Sequence, residues 1–237
     1  MNRLELAEVK MLHSNVVDEF VLGMIGRGDL RTLELDINLG ADGFFIGHHD
    51  FYYQGNGQVH LGGMSIQEAM AVVLELGIVV KFDCKGRGAI PEVLRLATLM
   101  DPGKCMLHAF ASEFDFHFEE RKIRWKHENI PLAQVLKLRE EAGNLPLQVG
   151  CRGFTFDGIR DRGSIQVADL LEVFRVAQKN SIEAIGLSLP DNQVPPDWVL
   201  QYFCDGGVLV EVYEAEIGNR ELPCDVFTSV EVEDYRK

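Results

Sequence analysis

Short apolar runs alternate with amphipathic stretches along nearly all of this 237-residue chain, and that alternation most restricts its fold. Residues 9–12, 33–37, 78–83, 105–110, 145–149, 182–187, 208–212 and 225–228 read as strands. Helical spacing predicts helices over 16–25, from a Ser65 cap to about 76, then over 90–100, 132–142, 167–178 and 198–203. Ser65-Ile66-Gln67-Glu68 is a capping box, and Pro131 stands where a helix start tolerates a missing N–H. Ala41-Asp42-Gly43 reads as a turn, with residues 44–47 returning as a hairpin. Strand–helix alternation argues for a parallel α/β sheet, and eight strands in this length match a closed (β/α)8 TIM barrel. An open doubly wound sheet needs a Gly-rich phosphate loop after its first strand, and Leu12-His13-Ser14-Asn15 has no glycine. No Pro/Gly/Ser linker interrupts the pattern, so residues 1–237 are expected to form one domain.

Within the second strand, Leu33-Glu34-Leu35-Asp36-Ile37 sets two carboxylates two positions apart in an apolar run. Strand residues i and i+2 face the same side, so Glu34 and Asp36 share one face and the three apolar residues the other. Like charges held so close drive one to protonate unless a cation sits between them. A divalent ion that prefers oxygen ligands, Mg²⁺ or Ca²⁺, meets that need.

Barrel chemistry sits at the C-terminal ends of the strands. There the first strand ends in His13, the hairpin in His48-His49-Asp50, the fourth strand near His108 and the fifth at Cys151-Arg152. The third carries Lys81, Asp83 and Lys85 on one face, and the seventh contains Glu211. Charges gathered inside a barrel must pair or coordinate metal.

Composition excludes some partners. The chain carries 37 acidic against 23 basic residues, a formal charge of −14. Such a surface repels nucleic acid and anionic lipid, so any anionic substrate needs a local cation. The five cysteines form no Cys-x-x-Cys pair and are expected to be reduced core residues. The first ten positions carry Glu5 and Glu8 where a signal peptide needs an apolar run, and no stretch approaches the ~20 apolar residues of a membrane span. A soluble, cytoplasmic protein is expected.

The order His13, Glu34-x-Asp36, His49-Asp50, Asp83-x-Lys85 resembles the phospholipase-C-like phosphodiesterase superfamily, nearest the glycerophosphodiester phosphodiesterase family. That family consists of metal-dependent TIM barrels that cleave phosphodiesters. The resemblance is specific over the first ~90 residues. It implies that Glu34, Asp36 and Asp83 hold a divalent metal, Mg²⁺ or Ca²⁺. It matches His13 to the His of a His-Arg-Gly motif and His49 to that of a His-Asp motif, which implies an acid/base pair. Lys85 matches the lysine of Glu-x-Lys, implying positive charge toward the phosphate. Ser14-Asn15 stand where the family has Arg-Gly, and Arg152 is the substitute arginine, with a surface ion pair to Asp157 or Asp161 its bland alternative. Lys81-Phe82-Asp83-Cys84-Lys85 is similar to the menorin-type branch, and its Asp-x-Lys also to the sphingomyelinase-D-like branch.

The expected activity is therefore metal-dependent cleavage of a small-molecule phosphodiester. One histidine takes a proton from the attacking hydroxyl and the other protonates the leaving alkoxide, each step worth roughly 10²–10⁴-fold. A substrate hydroxyl as nucleophile gives a cyclic phosphate, water a linear monoester. His48 exchanges roles with His49 if the hairpin shifts by one residue. The altered His-Ser-Asn motif motivates the alternative, a non-catalytic member that binds a phosphorylated ligand or a partner. Residues 51–57 read as an aromatic, Gly-rich loop able to cover a substrate.

Overall fold

A computed structural model describes residues 10–13, 19–27, 32–40, 43–46, 65–115, 129–152, 164–188, 194–213 and 221–231. Its strands are β1 (Lys10–His13), β2 (Thr32–Gly40), β3 (Gly43–Ile46), β4 (Val79–Cys84), β5 (Cys105–Asp115), β6 (Leu147–Arg152), β7 (Ala184–Ser188), β8 (Leu209–Tyr213) and β9 (Phe227–Glu231). Its helices are α1 (Glu19–Gly26), α2 (Ile66–Leu76), α3 (Ile90–Ala97), α4 (Leu132–Glu141), α5 (Ser164–Lys179) and α6 (Asp197–Asp205). Eight strands pair in parallel in the order β1-β2-β4-β5-β6-β7-β8-β9, and β9 returns to β1, which closes the sheet into a barrel. The remaining strand, β3, pairs antiparallel with the far half of β2, as the hairpin turn requires. No helix among the described residues is long and apolar enough to cross a membrane.

Period-two alternation sorts each strand into two faces. Leu33, Leu35 and Ile37 on β2, Val80 and Phe82 on β4, and Leu147 and Val149 on β6 are buried in the apolar layer shared with the helices. Full burial of each such side chain contributes about 1.5–3 kcal/mol. The intervening residues Glu34, Asp36, Lys81, Asp83, His108 and Gln148 are buried as well, on the barrel's other face. In a barrel of this size the interior is packed with side chains. Here part of that filling is charged.

Local signals were met closely. Ser65 Oγ accepts from Glu68 N at 3.2 Å, and Glu68 Oε2 accepts from Ser65 N at 2.9 Å, so both halves of the capping box form. At the other end of α2, Gly77 adopts φ 62°, and its N–H caps Val73 O. Two differences have local causes. β5 continues past Phe110 because Ile130 supplies it a bridge partner, donating to Phe110 O and accepting from Ser112 N. The expectation of five reduced cysteines is corrected: Cys204 and Cys224 form a disulfide, whereas Cys84, Cys105 and Cys151 are buried thiols. The pair is 20 residues apart, and the fold brings the end of α6 beside the segment before β9. Sequence spacing carries no sign of that proximity.

Candidate active site

Parallel register brings the polar residues level with one another. Glu34 lies opposite Lys81 across β2 and β4, and Asp36 opposite Asp83. His108 on β5 is the partner of Asp83, and Gln148 on β6 the partner of His108. Glu211 on β8 pairs with Gly186 on β7. Two tiers result.

The lower tier centres on Lys81. Its Nζ is 2.7 Å from Glu34 Oε2, 2.9 Å from Glu211 Oε1 and 3.4 Å from Gln148 Oε1. Gln148 Nε2 in turn donates to Glu211 Oε2. Gly186 makes room for this: a Cβ there would lie 2.7 Å from Gln148 Nε2 and 3.1 Å from Glu211 Oε2. Burial pulls the Lys81 ammonium pKa down, but Glu211 and Glu34 outweigh it and hold the group charged.

The upper tier, nearer the C-terminal strand ends, centres on Asp83. Lys85 Nζ forms an ion pair with Asp83 Oδ2 and lies 3.2 Å from Asp36 Oδ2. His108 Nδ1 is 3.1 Å from Asp83 Oδ2 and 3.8 Å from Glu34 Oε1, so Glu34 reaches both tiers. Burial pushes the Asp83 carboxyl up, yet His108 and Lys85 overcome this and hold it well below the usual carboxylate range. Burial alone pulls His108 down, but the charge on Asp83 reverses the shift and raises it. Lys85 is likewise raised, because Asp36 and Asp83 outweigh its burial.

The two tiers differ in satisfaction. Among the described residues, Asp83 Oδ1 and both ring nitrogens of His108 are buried without an aligned hydrogen bond. Most buried polar groups in folded proteins have such a partner. Glu34, Asp83 and His108 each offer one ligand atom, and the three atoms lie within 4.8 Å of one another. This donor set fits a divalent cation, with Asp36 close by through Lys85.

The expected site residues divide as follows. Glu34, Asp36, Asp83 and Lys85 come together in the barrel interior. His13 ends β1 as the register partner of Glu34, described by its backbone alone. Arg152 ends β6, again with only its backbone described. His48, His49 and the 51–57 loop lie outside the described residues, as do Asp157 and Asp161. The like-charge problem of Glu34 and Asp36 is met in part by two lysines, Lys81 for the first and Lys85 for the second. Sequence reasoning gave Gln148 no role and left His108 and Glu211 unassigned. A lone polar residue inside Leu147-Gln148-Val149 was the available signal for the first.

A closed parallel barrel with charged groups toward the C-terminal strand ends defines the class, a (β/α)8 TIM barrel. No family model matches the chain, and no curated protein matches it. Solved structures do. One is a protein described as a candidate glycerophosphoryl diester phosphodiesterase from Agrobacterium tumefaciens, with TM-score 0.59, 11% identity, and 94% of this chain and 93% of that chain covered. An HpcH/HpaI aldolase from Desulfitobacterium hafniense aligns with TM-score 0.52 at 8% identity, over 99% of this chain and 92% of that chain. Orotidine 5'-monophosphate decarboxylase from Methanocaldococcus jannaschii aligns with TM-score 0.50 at 11% identity, over 97% and 91%. Likenesses at such identities establish the barrel and leave its chemistry to the residues.

Proposed function

We propose that this protein is a metal-dependent phosphodiesterase of the glycerophosphodiester type, acting on a small-molecule diester in lipid metabolism. The observation that supports this reading most is the under-satisfied carboxylate tier: Asp83 Oδ1 is buried without a hydrogen bond, beside Glu34, Asp36 and the ammonium of Lys85. Glu34, Asp36 and Asp83 would hold Mg²⁺ or Ca²⁺. A cation bound there supplies positive charge to a phosphoryl oxygen. Lys85 fixes the orientation of Asp36 and Asp83 and adds charge toward the phosphate. His13 and His49 would divide the proton transfers, a role that suits imidazole near neutrality. Arg152 would stand in for the arginine absent after His13. The net charge of −14 favours a small ligand over nucleic acid. Residues 1–237 are taken as one catalytic domain.

A second reading has its own support. Lys85 already bridges Asp36 and Asp83, which is the task a cation would perform. A barrel neutralised in this way, with Ser14-Asn15 replacing the motif, would bind a phosphorylated ligand or a partner without turnover. Phosphorus NMR on a panel of glycerophosphodiesters and lysophospholipids, with Mg²⁺ or Ca²⁺, separates the two readings. Turnover lost in Glu34→Ala and His13→Ala supports the enzyme, and the spectrum distinguishes cyclic from linear product. Binding by calorimetry with no turnover supports the second reading. A cytoplasmic setting agrees with the three buried thiols, whereas the Cys204–Cys224 disulfide points to an oxidising one. Thiol titration of the protein as purified from its natural compartment decides between them.

A further inference from the structure

We infer that His108 is itself a ligand of the cation, so that the site takes a borderline first-row ion, Mn²⁺ or Zn²⁺, in preference to Mg²⁺ or Ca²⁺. This rests on the metal-dependent reading above and deepens it.

Three observations converge on His108. Its imidazole is buried, 5% exposed, with neither ring nitrogen in an aligned hydrogen bond among the described residues. A ring nitrogen left so needs a partner, and a neutral imidazole nitrogen is a metal ligand. Its position is fixed as well. Register places it beside Asp83, and its ring packs tilted against Phe110 at 5.1 Å between centroids. The Nδ1 edge faces two carboxylates, at 3.1 Å from Asp83 and 3.8 Å from Glu34. Those residues and His108 are the described trio whose ligand atoms cluster.

Charge gives the second line of support. The two tiers hold four carboxylates, Glu34, Asp36, Asp83 and Glu211, against the two ammoniums of Lys81 and Lys85. The carboxylates outnumber the ammoniums, and a divalent cation offsets that excess. Lys85 engages Asp83 through Oδ2, and Oδ1 is left for the ion. The donor type then selects the metal. Oxygen-only sets suit Mg²⁺ and Ca²⁺, while an imidazole nitrogen shifts preference along the first-row series.

The test uses the full chain, stripped with chelator and titrated by calorimetry with Mg²⁺, Ca²⁺, Mn²⁺ and Zn²⁺ in turn. Pulsed electron paramagnetic resonance then reads nitrogen coupling to bound Mn²⁺. Expected are Mn²⁺ and Zn²⁺ affinities at least about tenfold above that for Ca²⁺, and a ¹⁴N coupling in the wild type. His108→Ala should abolish the coupling and lower Mn²⁺ and Zn²⁺ affinity by more than it lowers that for Ca²⁺, which removes the preference. His108→Gln, closer to the ring in volume, is measured beside it, with circular dichroism reporting the fold of both. Mn²⁺ bound without nitrogen coupling, or a coupling that survives both substitutions, overturns His108 as a ligand and leaves the metal-dependent reading standing. No binding of any of the four ions overturns both.

Discussion

The two polar tiers inside the barrel use the same chemistry and end in different states. In the lower one, Lys81 is surrounded by Glu34, Glu211 and Gln148, and Gln148 in turn caps Glu211. In the upper one, Lys85 serves Asp36 and Asp83 and His108 Nδ1 faces Asp83 at 3.1 Å, yet among the described residues Asp83 Oδ1 and His108 Nε2 are buried without hydrogen bonds. A saturated buried network fixes a structure, and an unsaturated one holds free energy that a ligand can release. Under the proposed function, the contrast separates a tier that supports from a tier that acts, although on β2 and β4 they stand two residues apart.

Substitutions sharpen this division. Asp83→Asn removes a charge from the acting tier. Phosphodiester turnover per folded molecule should fall by about a thousandfold, and stability should fall by about 3–5 kcal/mol as Lys85 and His108 lose a buried charged partner. Cleavage assays beside urea unfolding check both. Lys81→Met acts on the other tier. It strands Glu34 and Glu211 without their ammonium, and unfolding free energy should drop by about 3–5 kcal/mol. If Lys81→Met unfolds no more easily than the wild type, the supporting role is wrong. Gly186→Ala pushes a methyl at Gln148 and Glu211, and should lower stability by about 1–3 kcal/mol without altering turnover per folded molecule.

Acid separates the tiers more gently. Asp83 has a folded-state pKa depressed below its ordinary 3.8. The stability it contributes is therefore present above about pH 4 and is lost as pH falls from there through the folded value. Thermal melts from pH 5 to pH 2 should show a steeper acid limb in the wild type than in Asp83→Asn. Ser65→Ala, outside both tiers, should cost about 1 kcal/mol through the lost cap and leave turnover unchanged. A larger effect on turnover there would break the assignment of chemistry to the barrel interior.

Most of the fold was legible because it follows from local rules. The strand at Leu33-Glu34-Leu35-Asp36-Ile37 shows its two faces in its own letters, and Ser65 with Glu68 announces the start of α2. The carboxylates Glu34 and Asp36 were legible for the same reason, since spacing by two places neighbours on one face, whereas Asp83 joined them through the resemblance. Their partners were not. Lys81 and Glu211 are 130 positions apart, and only closure of the barrel sets them within reach. Gln148 and His108 gain meaning from register across strands, which no single segment encodes. Residues with a resemblance behind them, such as His13 and His49, were named from motif order rather than from physics.

The Cys204–Cys224 disulfide has a topological consequence. It closes a covalent ring around β8, the strand that carries Glu211. A protease that cuts between the two cysteines would leave both fragments tethered. The nicked chain would run as one band on a gel without reductant and as two with it, so the supporting tier would keep its Glu211 strand attached after the backbone is broken.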